Sequence, residues 1–185
     1  GVFGAGRARR AARRGVARRG VARRGTGRRV ERTIHRTIHR FAAMPLEIAS
    51  EFGCVVAAVG ACFVPLVYGA VRVARARKAH GVEYPDLYAP PGHEKKKQFD
   101  CVQRGHQNTL ENYAPVIAMG TASGLAYPRA SAILLCVWAV GRVEYIRGYA
   151  TGDPAKRRLG GLVSHLADVP LFFMTFFAAK KILDA

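Results

Sequence analysis

Polar chemistry concentrates in one short stretch of the chain, Gln103-Arg104-Gly105-His106-Gln107-Asn108-Thr109-Leu110-Glu111. Arg104, Asn108 and Glu111 are spaced by four and three, so on a helix they share one face. A guanidinium pairs bidentately with carboxylates, a glutamate holds an ammonium, and an amide supplies neutral hydrogen bonds. Three further groups have the same character. They are Arg75-Ala76-Arg77-Lys78, the run Arg142-Val143-Glu144-Tyr145-Ile146-Arg147-Gly148-Tyr149, and the pair Arg157-Arg158. Tyr145 and Tyr149 are four apart and also share a face. This inventory suits a small zwitterionic or anionic ligand. The plainer alternative is that the cations snorkel to lipid headgroups while the tyrosines form an aromatic belt. That alternative is favoured for Arg72, Arg75, Lys95, Lys96, Lys97 and Arg147. It is not favoured for Arg104, Asn108 and Glu111, because a same-face acid, amide and guanidinium exceed what anchoring requires.

The elements that carry these residues read as four membrane-spanning helices. Phe52 to Val71 is free of charge for 20 residues, enough at about 1.5 Å per residue to cross a hydrocarbon core of about 30 Å. Pro65 lies inside it and is expected to be tolerated there. Asn112 to Pro128 forms a second uncharged run. The third, Ala130 to Gly141, must continue through Tyr145 to span, which sets Arg142 and Glu144 near an interface. Leu159 to Ala179 forms the fourth, interrupted by His165 and Asp168 and closed by Lys180 and Lys181. No run alternates as a strand would, so the expected fold is an all-α, membrane-embedded four-helix bundle.

The chain carries 30 basic and 12 acidic residues, a net charge of +18. Residues 1–43 hold 14 Arg against the single acid Glu31, or +13, which leaves +5 for residues 44–185. Basicity therefore belongs to a low-complexity tail with the repeated unit Ala-Arg-Arg-Gly, and nucleic-acid binding is not expected of the body. The tail reads as an Arg-rich transit peptide, as an anionic-lipid or RNA contact, or as sequence upstream of a true start at Met44. The segment from Arg72 to Arg104, ends included, holds eight Lys or Arg and that from Arg142 to Arg158 five, while the turn at Tyr127-Pro128-Arg129 has one. The positive-inside rule puts both basic segments in the cytosol and both chain ends opposite, which favours a start at Met44 or removal of the tail. The four polar groups then share the cytosolic face, where such a stripe is costly and marks a site.

Cys54, Cys62, Cys101 and Cys136 have no metal-ligand spacing, so no metal is expected and all four read as reduced and structural. Gly120, Ser123 and Gly124 suit close helix packing. His165 and Asp168, three apart, are expected to form a pair facing the bundle.

The run Phe99 to Glu111, the step Val82-Glu83-Tyr84-Pro85, and Gly148-Tyr149-Ala150-Thr151-Gly152-Asp153-Pro154-Ala155-Lys156-Arg157 resemble the MAPEG family, membrane-associated proteins of eicosanoid and glutathione metabolism. The resemblance runs from about Glu47 to the C-terminus. It implies a homotrimer, with glutathione as co-substrate bound between neighbouring protomers at the cytosolic face of the endoplasmic reticulum membrane, or of a mitochondrial membrane if the leader is real. By position it implies that Arg77 grips a glutathione carboxylate and that Asn108 and Glu111 hold its peptide and amino group. His106, where relatives often have Gln, joins Arg104, Arg142, Tyr145 and Tyr149 in the pocket. Arg157 is the implied catalytic residue, stabilising the thiolate, with Arg158 as the alternative because the loop is about one residue longer than in some relatives. A free thiol has a pKa of about 8.5 and needs a nearby cation to ionise at neutral pH. The thiolate would attack a lipophilic electrophile arriving from membrane lipid, or reduce a lipid hydroperoxide. Leukotriene C4 synthesis is a further implied activity, from which Asn112 departs by standing where leukotriene C4 synthase has a tyrosine. His165 and Asp168 also depart, since apolar residues are expected there. The competing reading is a non-catalytic lipid-binding scaffold.

Overall fold

The computed structural model describes residues 48–184 of the chain; the Arg-rich segment 1–43 and Met44 lie outside the described residues. Five α-helices follow in order: α1 (Gly53–Ala61), α2 (Val64–His80), α3 (Lys96–Gly124), α4 (Pro128–Tyr149) and α5 (Arg158–Leu183). Short 3₁₀ turns at Ser50–Phe52 and Pro154–Arg157 precede α1 and α5. No strand occurs among the described residues.

The first apolar run is continuous in sequence, but its helical hydrogen bonding is interrupted at Cys62 and Phe63. Pro65 lacks an N–H and its ring crowds the carbonyl four residues back, which belongs to Ala61. The helix ends there and restarts at Val64 with Pro65 in its first turn. Together α1 and α2 form one rod, Ser50–His80, whose hydrogen bonding is interrupted at Cys62 and Phe63, so the bundle has four members. Gly81, at φ 65°, stops α2 in the left-handed conformation that glycine adopts without strain.

Segments Ser50–His80 and Pro154–Leu183 are each long and apolar enough to cross a membrane. Helix α3, with 29 residues, extends about 43 Å, but its N-terminal half is the polar motif. Helix α4 likewise keeps Arg142, Glu144 and Arg147 in its C-terminal half.

The core holds the rods through small residues. Trp138 and Leu135 of α4, Val116 of α3, Val55 and Cys62 of the first rod, and Leu171 of α5 are all buried together. A Cβ at Gly120 would come within 2.6 Å of Leu135, and one at Gly124 within 2.9 Å of Val55. The Ser123 and Ser131 hydroxyls share a 2.8 Å hydrogen bond between them. The predicted role of Gly120, Ser123 and Gly124 as close-packing positions is what the helices show. At this end Glu51 and Arg129 also form an exposed ion pair. Successive helices run antiparallel, so the end of α2, the start of α3, the end of α4 and the start of α5 gather at the opposite end.

Candidate functional site

The polar motif lies in the first half of α3, with Arg104, Asn108 and Glu111 on one face. An Arg104 guanidinium nitrogen donates to Glu111 at 2.8 Å, two turns along the same helix. Asn108 donates its side-chain amide to the Tyr145 hydroxyl of α4 at 2.9 Å. The Tyr145 ring meets Tyr149 edge-on, 5.2 Å between centroids. Arg157 lies 5.1 Å over the Tyr149 ring and is steadied by a 2.9 Å bond to the Pro154 carbonyl. Side chains from α3, α4 and the Pro154–Arg157 turn thus form one connected series. Arg157 is half-buried and directed toward Tyr149, whereas Arg158 is exposed at the start of α5.

Glycines permit this approach. A Cβ at Gly105 would lie 3.1 Å from the Tyr149 side chain. One at Gly148 would collide with the Lys156 carbonyl, and one at Gly160 with the Tyr145 amide nitrogen. Asp153 caps the 3₁₀ turn by accepting from the Ala155 amide at 2.9 Å.

Arg77 and His106 stand apart from this series. At about 100° per residue, His106 points away from Arg104, toward α2. A Cβ at Gly69 would be 2.5 Å from its Nδ1. Burial pushes the His106 imidazole below its ordinary value, and Nδ1 has no hydrogen-bond partner among the described residues. Arg77 is 9% exposed. It donates to the Val82 and Glu83 carbonyls at 3.4 Å and stacks on Tyr84 and Phe99. Phe99 and His106 lie on the same side of α3, opposite the Arg104–Glu111 pair. Arg142 is 3% exposed, with its guanidinium between the Trp138 and Tyr145 rings.

The loop between α2 and α3 contributes residues that the sequence did not single out. Tyr88 donates to the Gln107 side-chain carbonyl. The Ala89 amide donates to Asp100 at 3.0 Å, and Lys96 reaches back to the Ala89 carbonyl at 2.5 Å. These bonds strap the loop over the start of α3 and wall a groove of about 540 Å³ between Tyr88, Lys96, Cys101, Arg104 and Tyr149. Gln107 lay within the recognised motif, but nothing in the local pattern marks Tyr88. Burial pushes the Cys101 thiol up, against a smaller downward pull from Lys97. A thiol so placed is a weak nucleophile.

His165 and Asp168 pair as expected, with Nδ1 3.1 and 3.2 Å from the two carboxylate oxygens. Only half the pair faces the bundle. The Asp168 side chain is 12% exposed and that of His165 is 65% exposed. The four cysteines are free, Cys62 and Cys101 buried, Cys54 and Cys136 exposed.

Comparison with known families matches residues 55–177 to the MAPEG family.

Proposed function

The chain belongs to the MAPEG family, which includes glutathione transferases and related membrane enzymes, and on that premise we propose that it is a membrane-bound glutathione transferase. It conjugates the glutathione thiolate to lipophilic electrophiles and reduces lipid hydroperoxides at the expense of glutathione. The motif from Phe99 to Glu111 resembles that of microsomal glutathione S-transferase 3, and we assign the chain to that type. Residence in the endoplasmic reticulum membrane, with all four rods spanning, completes the reading.

One observation carries it. Asn108, Tyr145, Tyr149 and Arg157 come from three separate elements and form a continuous series beside the Arg104–Glu111 pair. In this reading Glu111 holds the glutathione ammonium, Arg104 a carboxylate, and Asn108 the peptide. Arg157 keeps the sulfur anionic. A guanidinium stays charged and cannot take the thiol proton, so its contribution is electrostatic. In conjugation the thiolate forms a C–S bond while the electrophile's ring or leaving group takes the electron pair. In peroxide reduction the sulfur attacks the terminal oxygen and the alkoxide leaves to be protonated. A second glutathione then gives the disulfide and water.

The family resemblance implies a homotrimer, and in this reading glutathione lies between neighbouring copies.

The test is a conjugation assay in detergent, with and without a lipid hydroperoxide. Turnover in either arm supports the enzyme. Glutathione-independent lipid binding with no turnover in both arms identifies a scaffold instead.

A further inference from the structure

Neither His165 nor Asp168 takes part in the chemistry above, yet both are ionisable and lie inside the apolar segment Pro154–Leu183, which is long enough to cross a membrane. Such residues are costly there and mark a site. The two are unequally placed. The Asp168 side chain is 12% exposed and meets Nδ1 of His165 with both oxygens, at 3.1 and 3.2 Å, while the His165 side chain is 65% exposed. An ionised carboxylate only accepts, so it keeps the proton on Nδ1, and the neutral ring then offers Nε2 as an acceptor. Nε2 lies on the opposite edge of the ring and has no hydrogen-bond partner among the described residues. In hydrocarbon an unmet acceptor is far less favourable than in water.

The surroundings of His165 decide what can meet it. Leu162, Leu166, Val169 and Phe172 flank it on α5, all large and exposed. Close pairing of helices in a membrane relies on small residues, as Gly141 and Gly160 supply between α4 and α5. Gly161 is small, but a Cβ there would already touch the Tyr145 ring at 3.6 Å. This face therefore suits acyl chains better than a second copy of the protein. The Gly161 contact also locates the pair. His165 is one turn further along α5, so it lies one turn beneath Tyr145, whose hydroxyl accepts from Asn108. Thr175 donates to the Met119 carbonyl at 3.5 Å, which sets the register of α5 on α3. Seven residues earlier on each helix, Asp168 is about level with Asn112. From Arg158, where α5 begins, His165 is about 10 Å along the axis. A lipid whose headgroup rests at the basic rim has its acyl chain at that depth, and an oxygen on the chain is the polar group it brings there.

We propose that the His165–Asp168 pair is an intramembrane acceptor site for an oxygenated acyl chain, in which Nε2 of His165 takes the O–H of a chain hydroxyl or hydroperoxide beneath Tyr145. Asp168 pins the ring and its proton. The site deepens the transferase reading by naming the class of lipid brought to it. That delivery rests on the transferase reading, while the binding itself does not.

The experiment uses the full chain in phosphatidylcholine nanodiscs without glutathione, and measures binding of radiolabelled methyl linoleate, its chain hydroxide and its chain hydroperoxide. The unmodified protein is expected to hold the oxygenated esters about 5-fold more tightly than the parent ester, the scale of one hydrogen bond. A preference confined to one of the two names the source of the O–H. His165→Leu should abolish the preference, and His165→Gln, which keeps an acceptor, should retain most of it. Equal binding of all three esters by the unmodified protein overturns the site without any variant, and so does a full preference in His165→Leu. Sedimentation of His165→Leu in detergent is read alongside. Dissociation of an oligomer there assigns Nε2 to a second copy and overturns the lipid site. If the unmodified protein shows no turnover with glutathione, the transferase reading fails while the binding preference still decides the site.

Discussion

The Asn108 amide and the Tyr145 hydroxyl, 2.9 Å apart, join the polar face of α3 to the inner face of α4. This is the one direct side-chain hydrogen bond between those helices at the site end among the described residues. Tyr145→Phe removes the acceptor and leaves the ring in place. Net hydrogen bonds contribute about 1 kcal/mol, so the KM for glutathione should rise about 5-fold. Tm should change little. Steady-state kinetics with glutathione varied checks this, and an unchanged KM rejects the series as a binding surface.

Arg157→Ala should lower kcat for conjugation about 100-fold, the scale of losing one preorganised electrostatic group. Glutathione affinity should stay within about 3-fold, since other residues hold its carboxylates and ammonium. Activity should return as pH rises past the ordinary thiol value of about 8.5. Arg158→Ala, which is exposed, should leave kcat unchanged. Stopped-flow conjugation between pH 6.5 and 9.5 separates the two arginines, and the reverse ranking moves the thiolate role to Arg158.

The Arg104–Glu111 pair is well over a third exposed on both sides, and exposed pairs contribute only about 0–1 kcal/mol to stability. Arg104→Gln and Glu111→Gln should therefore hardly shift Tm. Each should weaken glutathione binding at least about 10-fold through loss of a charge-assisted contact. Calorimetry at two salt concentrations measures the effect, which should shrink as salt rises.

His106 gives a pH signature. Burial holds its imidazole below the ordinary value of about 6.5, so the unfolded chain binds a proton more readily than the folded one. Stability is then fully present above that value and lost as pH falls through it. Tm in detergent should fall between pH 7 and 5.5, and His106→Gln should flatten that fall. An identical pH profile in the variant assigns the loss elsewhere.

Gly160→Ala tests the closest helix contact. Its new methyl would meet the Tyr145 backbone, which cannot rotate away as a side chain would, so a loss of about 3 kcal/mol is expected. Thermal unfolding reads it directly.

Helical rods and polar helix faces were legible where periodicity alone decides. The four-and-three spacing put Arg104, Asn108 and Glu111 on one face, and uncharged runs marked the rods. The interruption at Cys62 and Phe63 was not legible from hydropathy, because the crowding of Pro65 on Ala61 acts through backbone geometry. The separation of His106 from Arg104 follows from helical angle, but grouping by family resemblance ran across it. For His165 and Asp168, a spacing of three brings the side chains together without saying which one meets the neighbouring helix. The close approach at Gly141 and Gly160 settles that, and it depends on α5 being present. Tyr88 reaches the motif across a loop, a contact no local pattern encodes.

The abutment of Gly148 on the Lys156 carbonyl fixes the residue just before Arg157 against α4. The turn between Ala150 and Ala155 can then gain or lose a residue without shifting the arginine's perch. Gly152, at φ 82°, sits where such slack would be absorbed, so a change of length there is tolerated as long as position 148 stays glycine.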